Sequence, residues 1–262
     1  MSTSRSPNRI EAVQALLQAA PSPISESVSI HEAWGRTTFK ALATDRDHPP
    51  FNRATMDGFA VRSSEIIPGA TFEIFADIPA GSTPPHQVPP GHCVKIATGA
   101  AVPDALDAVI QHELCSSEEP IQSTLEHISA GQNIHPQGAD LKKGEILVEA
   151  GVVLGPAEIG SAASGGHDVI PVAQRPRISV VSTGDELVDI HQTPGPWQLR
   201  DSNSPMIAAS VHSLGGELIE CAHAADDLDD TIEILDRLRK SADMVITLGG
   251  VSAGQRDHIP AA

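Results

Sequence analysis

Among its 262 residues the chain has no apolar stretch approaching the ~20 residues of a membrane-spanning helix. It is poor in basic residues: 17 Lys and Arg stand against 34 Asp and Glu, a net charge of −17. That balance argues against nucleic acid as a partner, because phosphate backbones are bound by clustered Lys and Arg. It also disfavours an anionic membrane surface. An anionic small ligand would meet an opposing long-range field. Helix N-termini, backbone N–H groups or a divalent cation would have to overcome it locally. Cysteine is scarce too. Cys93, Cys115 and Cys221 are far apart, odd in number and form no CxxC. A disulfide framework or zinc site is therefore not expected, and a reducing compartment fits. The twelve histidines form no HxH or HExxH pattern. His112 and Cys115 share a strand-like segment, but two possible ligands do not make a zinc site. There is no internal repeat and no low-complexity tract.

What is present divides along the chain. The length allows one to three domains with ample material for a core. In the N-terminal segment, Ile10, Val13, Leu16 and Leu17 recur at helical spacing, while Glu11, Gln14 and Gln18 interrupt the apolar run. This reads as an amphipathic helix rather than a signal peptide, and the expected location is cytoplasmic. Residues 51–137 are rich in Pro and Gly around short apolar runs (ATFEIFADI, HCVKIA, DAVIQHEL) and read as a small β domain. Residues 138–175 give a strand, EILVEAG, then a helix opened by Pro156 and closed at Gly165-Gly166.

From Pro176 the pattern changes. Strand ISVVS, helix SPMIAASVHSL, strand ELIECA, helix TIEILDRLRKS and strand MVITL follow one another. Alternation with these loop lengths predicts βαβ units and a parallel sheet. Three strands are fewer than a doubly wound domain usually has, so this domain is expected to be incomplete.

The most informative stretch is ADMVITLGGVSAGQRD. A buried strand runs into Gly249, Gly250, Ser252, Gly254 and then Asp257. Glycines let a backbone approach a ligand, and successive N–H groups can cradle an anion. Ligands bind at such carboxyl ends of strands. The loop is a candidate phosphate site, with Asp257 as a candidate metal holder. Ser182-Thr183-Gly184-Asp185-Glu186 ends another strand and presents Glu186 at the same end; the plainer reading is a turn with solvated acids. In Asp226-Asp227-Leu228-Asp229-Asp230, Asp229 and Asp230 are assigned to capping the next helix, with Glu233 completing a capping-box spacing. Asp226, just past a strand, is the better functional candidate. Asp201 or Ser202 could cap the helix that starts near Asn203. Asp57-Gly58, Thr98-Gly99 and Gly138-Ala139-Asp140 each read by themselves as turns.

Taken in order, six segments are specific: FNRATMDGFAVR, KIATGAAVPDALDAVI, GADLKKGEILVEAGVVLGPAEIG, ISVVSTGDEL, LRDSNSPMI and ITLGGVSAGQRD. Together they resemble the MoeA family of molybdopterin molybdenumtransferases, related to the E domain of gephyrin, from about Arg9 to the last residue. The resemblance implies an α/β plus β, multi-domain fold. A discontinuous N-terminal dimerisation domain would comprise 1–50 and 138–175, with a β domain inserted at 51–137. A three-layer α/β domain like the adenylyltransferase MogA would occupy 176–262. The family's C-terminal β domain is absent from this sequence.

The resemblance also implies a homodimer, possible contact with a MogA-like adenylyltransferase, and a reaction. Molybdate is inserted into adenylylated molybdopterin, with Mg²⁺, and AMP is released. Carried over by motif, Glu186, Asp226 and Asp257 would line the pocket, with Glu186 and Asp257 as metal holders. Ser182, Thr183, Gly184, Asp201, Ser202 and Asn203 would meet the cofactor, as would Gly249, Gly250 and Ser252. Asp57 and Thr98 would complete the site across the dimer, supported by Asp140. Two departures stand out. Asn52-Arg53-Ala54-Thr55 replaces the family's usual Asp-Asn-Ser-Ala. His135-Pro136-Gln137 stands where basic residues are common. The resemblance makes the chain an enzyme by family, but without the C-terminal part its 262 residues are expected to lack insertion activity. The alternative reading is a catalytically inactive remnant serving only as a dimerisation or binding module.

Overall fold

The computed structural model describes residues 8–116, 118–251 and 257–262. Helix α1 (Arg9–Ala19) opens on a reciprocal cap. Asn8 Oδ1 accepts from the Glu11 N–H at 3.0 Å, and Glu11 Oε2 accepts from the Asn8 N–H at 2.8 Å. None of its residues is buried. Strands β1 (Ser25–Ser29), β2 (Leu42–Ala43), β3 (Arg53–Ala54), β4 (Gly58–Val61) and β5 (Thr71–Ile78) follow. Then come β6 (His92–Ile96), β7 (Ala108–Gln111), β8 (Ile121–Gln122), β9 (Ile134–His135) and β10 (Ile146–Val148). Helix α2 (Pro156–Ser164) leads to β11 (Val169–Ala173) and β12 (Arg177–Thr183). A short parallel pair, β13 (Leu187–Val188) with β14 (Leu199–Arg200), precedes α3 (Asn203–Ser213), β15 (Glu217–Ala224), α4 (Leu228–Ser241) and β16 (Met244–Leu248).

The chain forms two compact units. One comprises Met1–Lys40, Gly151–Pro156 and Val169–Ala262; the other, Ala41–Ala150 and Ala157–Asp168. The second unit is built on a five-stranded mixed sheet in the order β7-β4-β6-β5-β8. Its residues alternate between two apolar layers, as the period of two requires. Ala60, Val94, Ile96 and Val109 belong to one cluster. Phe59, Val61, Cys93 and Ile110 belong to the other. Both faces are covered, which accounts for near-continuous apolar runs in β4, β6 and β7. The segment HCVKI is a strand, whereas DAVIQHEL is a strand only to Gln111; His112–Leu114 turns as a short 3-10 helix.

In the first unit β1 pairs antiparallel with β11. The parallel sheet has the order β15-β12-β16. Val181 of β12 packs with Ala224 and Leu238, so α4 covers that face. On the opposite parity, Ile178 lies beside Val211 of α3 at Gly216. One helix per face gives three layers. The chain is thus a multi-domain α/β plus β protein. The strand of this sheet that comes first in the chain, β12, is central. The crossover through α3 runs to one side of it and the crossover through α4 returns to the other, which creates a topological switch point between β12 and β16.

Candidate functional site

At that switch point two strand ends meet. A β-carbon on Gly249 or Gly250 would come within 2.9 or 2.8 Å of Thr183 Oγ1. The Ser182-Thr183-Gly184 end of β12 therefore lies against the Gly249-Gly250 end of β16. Gly249 and Gly250 have φ of 92° and 62°, in the left-handed region that glycine adopts without strain. Successive residues of this kind leave N–H groups facing one concavity. The Ile259 N–H donates to the Gly250 carbonyl at 3.3 Å, so the chain beyond the loop returns to the strand end, and Asp257 lies two residues before that contact. Ser252 lies outside the described residues. The Glu186 carboxylate folds over Gly184: a β-carbon there would stand 2.5 Å from Glu186 Oε2.

Both helix N-termini at this edge are already filled by the protein's own acids. Asp201 Oδ1 accepts from the N–H groups of Asn203 and Ser204 at 3.1 and 3.0 Å, and Oδ2 accepts from the Ser204 hydroxyl at 2.5 Å. Ser202 holds the N-cap position but makes no side-chain cap bond. Burial pushes the Asp201 carboxyl up, but hydrogen bonds from Ser204, Ser182 and Asn203 outweigh it and leave the pKa below the usual 3.8. At α4 the N-cap is Asp227, which accepts from the Asp230 N–H at 3.0 Å. This corrects the sequence assignment of Asp229 and Asp230. Asp229 lies in the first turn, and Asp230 Oδ2 instead accepts from the Ala225 N–H at 2.9 Å. The Asp226 N–H donates to Asp185 Oδ1 at 3.1 Å. These N–H groups are bonded to the protein's own acids and are not free for an anion.

Beside α3 lies an open cleft of about 590 Å³, lined by Ser182, Asp201, His223 and the β13 residues Leu187 and Val188. Ser182 and Asp201 are shared between the cleft and the candidate set. Thr183, Gly184, Glu186, Asp226, Gly249 and Gly250 are not among its lining residues. His223 was not singled out from sequence, because its position depends on strand register.

The second unit carries its own group. Asp57 Oδ1 accepts from the Thr98 N–H at 2.6 Å and from the Thr98 hydroxyl at 2.8 Å. These bonds, the backbone one foremost, hold the Asp57 carboxyl below its usual 3.8, with the His112 side chain adding a smaller pull. Asp57, Lys95, Asp77 and His112 line one recess of about 320 Å³, in which Lys95 Nζ pairs with Asp77 at 3.1 Å. Asp140 bonds to His135 Nε2 at 2.9 Å; among the described residues no hydrogen bond joins its side chain to Asp57 or Thr98. Burial pushes the Cys93 thiol up to about 12 and the Cys115 thiol up to about 11. Burial thus keeps both thiols in the neutral, weakly nucleophilic form at neutral pH.

No group of three or more His, Cys, Asp or Glu that could hold a metal occurs among the described residues. Nor is any helix among them long and apolar enough to cross a membrane. Residues 9–166 match the family model for the MoeA N-terminal region (domain I and II). Residues 179–262 match the model for a probable molybdopterin binding domain. A molybdopterin molybdenumtransferase of Staphylococcus aureus (strain Mu50) is 31% identical over 255 residues, covering 95% of this chain and 61% of that protein. One from Staphylococcus epidermidis (strain RP62A) is 30% identical over 259 residues, with the same two coverages of 95% and 61%. The crystal structure of a molybdopterin biosynthesis MoeA protein from Pyrococcus horikoshii OT3 superposes with a TM-score of 0.85 at 29% identity. It covers 92% of this chain and 65% of that one. The chain thus spans 61% of the length of the curated relatives it matches.

Proposed function

The chain belongs to the MoeA family, and from that premise we propose that it serves molybdenum cofactor biosynthesis as a molybdopterin molybdenumtransferase. In this reading it inserts molybdate into adenylylated molybdopterin and AMP is released. The observation that carries the proposal is the meeting of Thr183 with Gly249 and Gly250 at the switch point, beneath the Glu186 carboxylate. A pyrophosphate-like group at that edge has the loop N–H groups to bind to, while both neighbouring helix N-termini are capped from within.

Glu186 and Asp257 are oxygen donors of the kind Mg²⁺ takes. That ion is normally held by one or two carboxylates, with water and substrate phosphates completing its shell. When bound, Mg²⁺ neutralises phosphate and molybdate charge that would otherwise repel. Asp226 lies at the same edge and would orient the substrate. Ser182, Thr183, Gly184, Asp201, Ser202, Asn203, Gly249, Gly250 and Ser252 would contact the cofactor. Asp57 and Thr98 would act from the inserted β domain of a second copy, with Asp140 in support.

The proposed organisation is a discontinuous N-terminal domain of 1–50 and 138–175, an inserted β domain of 51–137 and a MogA-like domain from 176. The protein would work as a homodimer in the cytoplasm, in contact with a MogA-like adenylyltransferase. The test is AMP release from adenylylated molybdopterin with molybdate, with and without Mg²⁺. Glu186→Ala and Asp257→Ala should each lower Mg²⁺-dependent release by about 10²-fold, roughly 2.7 kcal/mol of barrier. Wild-type rates in both variants reject the assignment. No release by the unaltered chain would favour the other reading, a dimerisation or binding module.

A further inference from the structure

A second cleft lies at the amino end of the parallel sheet, where β12 begins at Arg177 and β15 at Glu217. None of the roles above uses it. Its volume is about 440 Å³, within the range of sites that hold small ligands. One wall is the loop 34–37 and the other the turn that follows α3. The two meet at Gly215, where a β-carbon would stand 4.0 Å from the Gly35 carbonyl oxygen and 3.7 Å from Arg175 Nη1. Three apolar side chains stand open here: Trp34, Val153 and Leu214 are 70, 61 and 87% exposed. Among the described residues the Trp34 indole has no ring contact and no hydrogen bond.

The charge of the cleft departs from that of the chain. Acids outnumber bases 34 to 17 overall, yet no described lining residue is Asp or Glu, while Arg36, Arg175 and His212 all line it. Arg36 is buried and committed, paired with Glu26 and bonded to the Ala173 carbonyl at 2.8 Å. Arg175 differs. It is exposed and gives Nη1–H to the Gly215 carbonyl at 3.0 Å. Among the described residues it pairs with no carboxylate. A guanidinium carries five N–H donors in a fork that matches an oxyanion, so the rest of the fork is open to a ligand. The carbonyls at the end of α3 would oppose an anion, but the turn occupies them. Those of Ser210, Val211 and His212 accept from the N–H groups of Leu214, Gly216 and Gly215 at 3.0, 2.9 and 3.1 Å.

We propose that this cleft binds a small planar anion, an aromatic ring bearing a phosphate or carboxylate group. The ring lies against Trp34 and the oxyanion on Arg175. An open cation without apolar walls would suit an inorganic anion, and apolar walls without the cation would suit a neutral ring. The two together select a ligand that has both parts. The site is at the opposite end of the strands from the switch point, so it stands or falls apart from the activity proposed above.

The test uses the full 262-residue chain with Trp197→Phe, which leaves Trp34 as its one tryptophan. AMP and nicotinate are the probes, one for each kind of oxyanion, and Trp34 fluorescence is the readout. Saturable quenching by at least one is expected, and the one that binds identifies the oxyanion. Arg175→Gln should weaken it about tenfold, the order of one lost charge-assisted hydrogen bond. Arg175→Lys, which keeps the charge, should recover part of the affinity. Adenosine or nicotinamide, which lack the oxyanion, and inorganic phosphate, which lacks the ring, should each bind about tenfold more weakly. Nitrogen NMR of the wild-type chain gives a readout free of any variant: the Trp34 indole N–H signal should move on adding the probe. No response of Trp34 to either probe overturns the proposal, as does equal affinity in Arg175→Gln or for the uncharged analogue. A Trp34 emission that shifts to the blue with rising protein concentration, and ignores both probes, gives the apolar wall to a second copy and rejects the ligand. Arg175-dependent binding without AMP release would leave this inference standing and reject the proposed activity instead.

Discussion

Thr98 gives Asp57 two hydrogen bonds, and their consequence can be titrated. The N–H bond contributes most, burial opposes it, and the hydroxyl bond helps to keep the carboxyl below 3.8. A depressed folded-state pKa means that the clamp's contribution is fully present above the unfolded value. It is lost only as pH falls through the folded one. At neutral pH the clamp is therefore intact, and it fails only in acid below 3.8. Thr98→Val deletes the hydroxyl bond and keeps the N–H. The Asp57 midpoint should rise toward 3.8, read by NMR titration of the carboxyl carbon. An unmoved midpoint would show that the hydroxyl contributes nothing. The neighbouring glycine answers to a different constraint. By sequence Asp57-Gly58 reads as a turn, yet Gly58 is the first residue of β4 and its φ is not positive. A β-carbon there would fall 1.9 Å from the Ile110 carbonyl oxygen of β7. Backbone cannot yield as a side-chain tip can, so Gly58→Ala should cost about 1–3 kcal/mol or more. Urea denaturation at neutral pH measures it; a loss under 0.5 kcal/mol, within the range of ordinary surface changes, contradicts the close approach.

Long elements were legible because their periodicity is strong, and short ones were not. β12, α3, β15, α4 and β16 stand where alternating apolar runs place them. The two-residue strands β2, β3, β8 and β9 are too short to carry a period. Strand order is invisible to periodicity as well. Nothing in ISVVS or MVITL says that β12 lies between β15 and β16, yet that order creates the switch point. The Ser182–His223 contact depends on register in the same way. At α4 the sequence offered four aspartates and no frame for choosing among them. Packing supplied the frame. Leu238 is 0% exposed, against Val181 and Ala224, and the helix that seats it begins at Leu228, so the cap falls on Asp227. Asp227→Ala should therefore cost about 1 kcal/mol. Asp229→Ala removes only an exposed first-turn charge, and should cost roughly 0.3–1 kcal/mol at low salt and less at high salt. Paired urea curves in high salt separate the two. Equal losses there would return the cap to the position read from sequence.

At the scale of the whole molecule, two sequence features pull in opposite directions. A net charge of −17 opposes self-association, because two copies repel through the field each generates. The apolar stripe of α1 favours it. Ile10, Val13, Leu16 and Leu17 are 70, 48, 60 and 72% exposed, on a helix with no buried residue. Among the described residues the stripe thus lacks the covering surface that its spacing requires. A second copy is the proposed cover, with α1 in the interface. Burial of apolar surface is worth about 25 cal/mol per Å² whatever the salt concentration. The repulsion, by contrast, acts between exposed charges and is screened beyond about 8 Å at physiological ionic strength. Dimerisation should therefore tighten as salt is added, the reverse of an interface held by ion pairs. Light scattering at micromolar concentration should give twice the 27.4 kDa chain mass. Leu16→Asp with Leu17→Asp should give the monomer, by adding charge to the stripe while leaving the Asn8–Glu11 cap untouched. A wild-type monomer at both low and high salt would show that α1 is no dimer contact. A dimer that loosens with salt would show that charge pairing, and not the stripe, holds the copies together.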